Sequence, residues 1–365
     1  MRIVVFGLAV SSSWGNGHAT LWRGLIGALH GLGCSVVFFE RDVPYYAGAR
    51  DVTELPGGEL VLYRAWSEVS ARAARDIRSA DCAIVTSYCP DAIAAASLAR
   101  ELHPPLSAFY DLDTPVTLAR LADGEQVGYL SERGLADFDL VLSYTGGRAL
   151  DLLRERLGAR RVAPLYGHVD PNVHRRAEPV GYYAADLSYL GTYAADRQAA
   201  LETLFVEPAR RRPEQRFLIG GAQYPQDFPW APNIYFVRHV PPPDHAAFYS
   251  SSRLTLNVTR AAMARLGWCP SGPLFEAAAC GTAVVSDAWE GLSTFFEPGE
   301  EMLVARSADD VTAALDLTAA EIARIAAAAR ERTMAQHTSQ ARARELLQLL
   351  EGARRAEPER MPAEA

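Results

Sequence analysis

The densest chemistry in the sequence lies in the run Pro270-Ser271-Gly272-Pro273-Leu274-Phe275-Glu276, which continues through Ala277, Ala278, Ala279, Cys280 and Gly281 into the apolar stretch Thr282–Ser286. A Ser-Gly-Pro start, a short Ala-rich helix stopped by glycine and then a buried strand put a helix N-terminus at the edge of a sheet. There Ser271 and Gly272 can hold a diphosphate on backbone N–H groups without a metal. Glu276, expected within the first turn of that helix, offers a carboxylate that can accept both hydroxyls of a ribose, with its charge favoured by the helix dipole. Arg197 and Arg260, each just beyond an expected strand, are candidate cations for the charge that develops on a leaving diphosphate. The sequence contains no lysine, so every permanently charged basic side chain is arginine, which suits bidentate phosphate contacts.

Two further loops carry polar chemistry. In Ser11-Ser12-Ser13-Trp14-Gly15-Asn16-Gly17-His18-Ala19, two glycines in a small polar run would let backbone N–H groups approach a ligand, and His18 would stand at the site's edge. Imidazole titrates near neutrality, so His18 is the leading candidate for a general base, against the plainer role of a helix-start residue. The spacing of Gly7, Gly15 and Gly17 is not that of a dinucleotide fingerprint. The second loop, Phe109-Tyr110-Asp111-Leu112-Asp113-Thr114-Pro115, sets two carboxylates two residues apart, as in sites that bind a metal-diphosphate. Asp113-Thr114-Pro115 is equally a helix-capping signal, and no metal ligands are assigned.

These loops need a scaffold of alternating strands and helices. Strand-like runs at 2–6, 35–39, 82–86, 106–110 and 140–144 are separated by helical patterns that include 18–32, 68–79 and 146–157. Apolar runs of this kind, buried on both faces, imply parallel βαβ units. A connector rich in proline, histidine and charge spans 164–179, and the alternation resumes at 187–191, 216–220, 234–237, 254–258 and 282–286. The expected organisation is an N-terminal Rossmann-like domain over 1–172, a second over 173–318, helices over 319–352 packing back on the body through Leu346, Leu347, Leu349 and Leu350, and a mobile tail over 353–365. Two such doubly wound α/β domains, facing across a cleft, would line it with loops from their strand ends.

Composition narrows the partners. The 365 residues carry 36 Lys and Arg against 44 Asp and Glu, a net charge of −8 that gives no global case for nucleic acid or an anionic membrane. No apolar stretch is long enough to span a bilayer, and the opening Met1–Gly7 reads as a strand rather than a leader, so a cytoplasmic protein is expected. Five cysteines without a CxxC point to buried thiols, not to zinc or disulfides.

The run from Ser271 to Asp287, with Trp289-Glu290-Gly291-Leu292 and Phe295-Phe296-Glu297-Pro298-Gly299 behind it, resembles the nucleotide-sugar region of GT-B glycosyltransferases. SSSWGNGHAT, FFERDVPYY, FYDLDTPVTL and LNVTR are similar to the CgeB-like (spore maturation) branch of that group. The resemblance, from Met1 to about Val311, implies a metal-independent transferase of hexosyl type with the acceptor on the N-terminal half and the donor on the C-terminal half. It needs no cofactor beyond the nucleotide sugar itself, and its acceptor is unidentified. It assigns the ribose to Glu276, the phosphates to Ser271 and Gly272, and an opposing loop to Gly191 and Thr192. It makes His18 the acceptor base, oriented by Asp42 or Asp111. Many retaining relatives place a second glutamate eight residues before the ribose-binding one; here that position is Trp268. Two competing readings use the same fold: a nucleotide-sugar 2-epimerase, which needs acid/base carboxylates around the sugar ring, and a sugar-nucleotide-binding protein without turnover.

Overall fold

The computed structural model describes residues 1–355. Its contacts divide the chain into two compact units, Met1–Tyr166 together with the segment from Gln340, and Gly167–Ser339.

In the first unit the order is β1(Arg2–Gly7), α1(Gly17–Gly31), β2(Ser35–Arg41), α2(Pro44–Ala47), β3(Gly58–Tyr63), α3(Trp66–Arg78), β4(Cys82–Thr86), α4(Ala92–Leu102), β5(Ser107–Asp111), α5(Thr114–Ala122), β6(Leu140–Ser143), α6(Arg148–Leu157) and β7(Val162–Pro164). The seven strands are parallel in the order β3-β2-β1-β4-β5-β6-β7. The sheet order reverses between β1 and β4, and the loops after these strands lie at the carboxyl edge where such sheets bind ligands. Alternation along β1 sends Ile3 and Val5 into one buried layer and Val4 and Phe6 into the other. Val69, Ala73 and Ile77, spaced by four on α3, seal the second layer.

The second unit runs β8(Ala185–Leu190), α7(Gln198–Leu201), a π-helical turn at Glu202–Val206, α8(Glu207–Arg211), β9(Phe217–Gly221), β10(Ile234–Arg238), α9(His245–Ser250), β11(Ser252–Asn257), α10(Ala261–Leu266), α11(Gly272–Ala279), β12(Ala283–Asp287), β13(Leu303–Ala305), α12(Ala308–Leu315) and α13(Ala319–Gln336). Its six strands are parallel in the order β10-β9-β8-β11-β12-β13. Both units are therefore Rossmann-like α/β layers, as the alternation of strands and helices predicts.

The helical region expected to pack back as one piece is divided. Helix α13 stays with the second unit, whereas α14(Ser339–Arg355) belongs almost entirely to the first. Leu346 and Leu350, one turn apart, are buried with Ala343 and Ala353 in the layer that also holds α1, while Leu347 and Leu349 are only partly covered. Residues 353–355, expected in a mobile tail, finish this helix, and Arg161 donates to the Ala353 carbonyl at 2.6 Å. The remainder of that tail lies outside the described residues. No helix among the described residues is long and apolar enough to cross a membrane.

Deleting the buried Leu350 side chain leaves a cavity, so Leu350→Ala should cost about 2–5 kcal/mol. Leu349→Ala should cost much less, and denaturant unfolding of the two variants checks the difference.

Candidate functional site

In the second unit the chemistry gathers where β8, β11 and β12 end. Helix α11 begins at Gly272 with Ser271 as its N-cap, which places Glu276 at the fifth helical position, one turn further in than the sequence suggests. Helical side chains lean toward the N-terminus, and this one runs back over its own first residue. A Cβ on Gly272 would lie 3.3 Å from Glu276 Oε1. The glycine therefore makes room for the carboxylate at the helix start. The Ser271 hydroxyl makes no bond to its own helix; it donates to Asn257 Oδ1, at the end of β11. Asn257 Nδ2 donates to Ser286 Oγ at 3.0 Å, and Asp287 Oδ1 accepts from the N–H and hydroxyl of Thr259 at 3.0 and 2.9 Å. These bonds fix the helix start to the strand ends. Pro273 has no N–H, the Leu274 N–H donates to the Ser271 carbonyl at 3.2 Å, and the side chain of the N-cap residue takes none of the helix-start donors.

Opposite α11 in sequence, Gly191 and Thr192 follow β8. A Cβ at Gly191 would sit 2.8 Å from the Tyr189 hydroxyl and 3.3 Å from Arg197 Nη1. Arg197 donates from that nitrogen to Tyr189 Oη at 3.2 Å and to the Thr192 carbonyl at 3.3 Å, and its Nε is buried without a partner. Arg260 pairs with Asp196 at 3.3 Å, and the same carboxylate accepts the Ala261 N–H that opens α10. Both arginines thus gather at the ends of the neighbouring strands β8 and β11. Trp268, eight residues before Glu276, takes φ +42° and stacks where a side chain on Gly291 would have to go, 2.6 Å from its ring. A bulky residue held in the left-handed region stores strain, which clusters at functional loops.

In the first unit the loop after β1 is anchored by two carboxylates distant in sequence. Glu40 is fully buried at the end of β2; its Oε2 accepts the N–H groups of Val10 and Ser11 at 2.7 and 2.9 Å, and its Oε1 accepts the Ser11 hydroxyl at 2.5 Å. Asp51 takes the Ser13 N–H at 3.1 Å and hydroxyl at 2.6 Å while paired with Arg23 at 2.6 Å. Asn16 caps α1 by accepting the His18 N–H. The N–H groups of Val10, Ser11 and Ser13 are thus taken by these two carboxylates, which fix the loop that leads into His18.

His18 Nε2 faces Asp113 Oδ2 at 3.7 Å, and its Nδ1 is buried without a partner. The carboxylate beside His18 is therefore neither of those expected. Asp42 is held by Arg50 at 2.6 Å. Asp111 is fully buried, with Oδ1 accepting the Asp113 N–H at 3.1 Å and Oδ2 unpartnered. Asp113 occupies the N-cap position of α5 but makes no capping bond, which leaves its carboxylate free for the imidazole.

The sequence reading missed the neighbours of Glu276. Its Oε2 faces His174 Nε2 at 3.8 Å and His245 Nδ1 at 3.7 Å, and Tyr249 Oη lies 3.5 Å away. Burial of Tyr249 beside this carboxylate drives its phenol well above the usual range, so it stays a hydrogen-bond donor. His174 is also pushed down by burial, against the pull of Glu276, which keeps it neutral. No motif spacing announces these two histidines.

Residues 197–348, a little under half of the chain, match a family model described as Glycosyl transferase-like. No curated protein sequence matches the chain. Among solved structures, the chain is similar to a sucrose-phosphate synthase from Thermosynechococcus elongatus at 15% identity and TM-score 0.67, covering 98% of this chain and 100% of that one. Anabaena Alr3699/HepE in complex with UDP-glucose matches at 12% identity and TM-score 0.66, covering 96% and 100%. An alpha-glucosyltransferase in complex with UDP and DNA matches at 14% and TM-score 0.69, covering 96% and 99%. At these identities the likeness establishes the fold, the two Rossmann-like units of GT-B architecture.

Burial raises Asp111 from 3.8 to about 6, opposed by its bond from the Asp113 N–H. The folded state then binds more protons than the unfolded chain between those values, so this group's contribution to stability falls as pH rises through that window. The stability difference, wild type minus Asp111→Asn, should drop by roughly 2 kcal/mol between about pH 4 and pH 7. Paired denaturation curves across that range check it; a constant difference would mean that Asp111 does not titrate there.

Proposed function

We propose that this chain is a nucleotide-sugar-dependent glycosyltransferase whose donor is held by the second unit. The observation that carries the reading is the Glu276 carboxylate lying over Gly272 at the start of α11, whose N-cap side chain makes no bond to its own helix. The glycosyltransferase-like match over 197–348 covers this segment, and two of the similar structures contain UDP or UDP-glucose. We take the donor to be a UDP-sugar on that basis, and the CgeB-like motifs to mark the branch.

In this mechanism Glu276 Oε1 accepts the ribose hydroxyls, and Ser271 and Gly272 present the helix start to the diphosphate. Arg197 and Arg260 neutralise the charge that grows on the leaving group, so the transfer needs no divalent cation. Gly191 and Thr192 allow close approach of the donor, because any side chain at 191 would strike Tyr189. His18 removes the proton of the acceptor hydroxyl, and the carboxylate of Asp113 stabilises the imidazolium that forms. Asp111 supports the Asp113 backbone from beneath, and Asp42 holds Arg50 against the Ser11 hydroxyl, so both act as positioning residues.

Glu276→Gln should weaken UDP binding by about 1–3 kcal/mol in a folded protein, measured by calorimetric titration. Unchanged affinity would remove Glu276 from the donor site. His18→Ala should lower turnover of a UDP-sugar by about 10²–10⁴-fold while leaving UDP affinity close to wild type. Near-normal turnover with a lowered melting temperature would instead make His18 a structural helix-start residue. A product formed with no acceptor present would favour the 2-epimerase reading.

A further inference from the structure

The neighbours of Glu276 have a chemistry that ribose recognition leaves unexplained. His245 Nε2 lies 3.2 Å from the Val240 carbonyl, an oxygen that can only accept, so the ring proton is committed there. His245 Nδ1 then turns a lone pair toward Glu276 Oε2, another acceptor, 3.7 Å away, and has no hydrogen-bond partner. His174 is 5% exposed, and neither of its ring nitrogens has a partner, although Nε2 lies 3.8 Å from the same oxygen. Three electron-pair donors thus converge, their ligand atoms all within 4.8 Å of one another. His245 Nδ1 and Glu276 Oε2 oppose lone pair to lone pair, a juxtaposition that a cation between them would relieve.

We propose that His174, His245 and Glu276 form a binding site for a borderline divalent transition ion of the zinc type. Two imidazoles and one carboxylate are the donors such ions take, whereas magnesium and calcium prefer all-oxygen sets. Bonds of about 2.0–2.2 Å in a tetrahedron set ligand atoms roughly 3.3 Å apart, so the two distances to Glu276, 3.8 and 3.7 Å, close by a few tenths of an ångström, and the two imidazoles, within 4.8 Å of each other, turn together by up to about 1.5 Å. The Val240 carbonyl on the far nitrogen of His245 is the usual outer partner that fixes the tautomer and ring orientation of a ligating histidine.

The three ligands come from segments pinned to one another. The Ala177 N–H donates to Ser250 Oγ at 3.1 Å at the end of α9, and Ser250 Oγ donates to the Cys280 carbonyl at 3.4 Å at the end of α11. Gly281, at φ +77°, has no Cβ to strike Arg176, whose Nε would lie 2.5 Å away. The His174 segment, α9 and α11 are held together in this way before any ion arrives.

The site has a consequence for the donor, which rests on the ribose role given to Glu276 above. An ion on Oε2 withdraws the charge that Oε1 offers to the ribose hydroxyls. Zinc and nucleotide should therefore oppose one another, and chelation should leave turnover intact or raise it.

The test begins without nucleotide. Chelator-treated protein is titrated with Zn2+ by calorimetry and with Co2+ by visible absorption. One ion per chain is expected, with the intense d–d bands of a four-coordinate cobalt site. Each of His174→Ala, His245→Ala and Glu276→Gln should weaken binding at least about 10–100-fold, while His103→Asn, at an exposed histidine of the first unit, should not. Wild type binding zinc no more tightly than all three site variants would overturn the proposal, and so would loss of UDP affinity in the histidine variants with no zinc binding by wild type, which would make the imidazoles nucleotide contacts. UDP is then titrated with and without zinc. Zinc bound at one site with UDP failing to bind even in chelator would sink the donor reading and leave the metal site standing.

Discussion

A carboxylate folded back over a residue that has no side chain organises the second unit. Glu276 lies over the start of α11 without displacement because position 272 is glycine, where a Cβ would crowd Oε1 at 3.3 Å and push it back by a few tenths of an ångström. The charge would be of little use if the helix could slide. It cannot, because Ser271 is tied to Asn257 and Asn257 to Ser286, and these bonds join the N-cap to two neighbouring parallel strands. Beneath them, Ser188 and Thr255 bond across β8 and β11 in the buried sheet at 2.9 Å. Buried polar groups that satisfy one another specify a single register, and here the register decides where the helix begins.

The first unit uses the same device for a different end. Glu40 gathers two backbone N–H groups and a hydroxyl of the loop after β1, and Asp51 gathers the next stretch together with Arg23. Charge-assisted bonds of this kind are about twice as strong as neutral ones, and the buried ones to Glu40 tie the start of the long loop to the end of β2. What the loop delivers is His18 beside Asp113, with Tyr88 packed against the imidazole at 5.9 Å between ring centroids. Tyr88 itself takes φ +62°, a second bulky residue in the left-handed region at a strand end.

Much of the scaffold was legible because parallel strands covered on both faces must be continuously apolar. Cys82–Thr86 and Ala283–Asp287 are of this kind. Gly58–Tyr63 escaped notice because it is the outer strand of its sheet and alternates exposed and buried residues, and Val162–Pro164 and Leu303–Ala305 are too short to form a pattern. Within the site, Ser271, Gly272 and Glu276 were legible because a helix start has a local signature. Glu276 was expected in the first turn, but with Gly272 as the first helical position it is the fifth residue and opens the second. The fate of the loop after β1 was hidden because its acceptors, Glu40 and Asp51, are distant in sequence. His174 and His245 were hidden for the same reason, since only tertiary packing brings them to one oxygen.

The central claim is that the second unit holds a nucleotide through Glu276 and the start of α11. A structure of the protein with UDP bound tests it most directly. The account predicts the ribose hydroxyls within hydrogen-bonding distance, about 2.5–3.0 Å, of the Glu276 carboxylate and the diphosphate at the backbone of Ser271 and Gly272. A nucleotide bound elsewhere on the chain, or one whose ribose leaves Glu276 untouched, would contradict it.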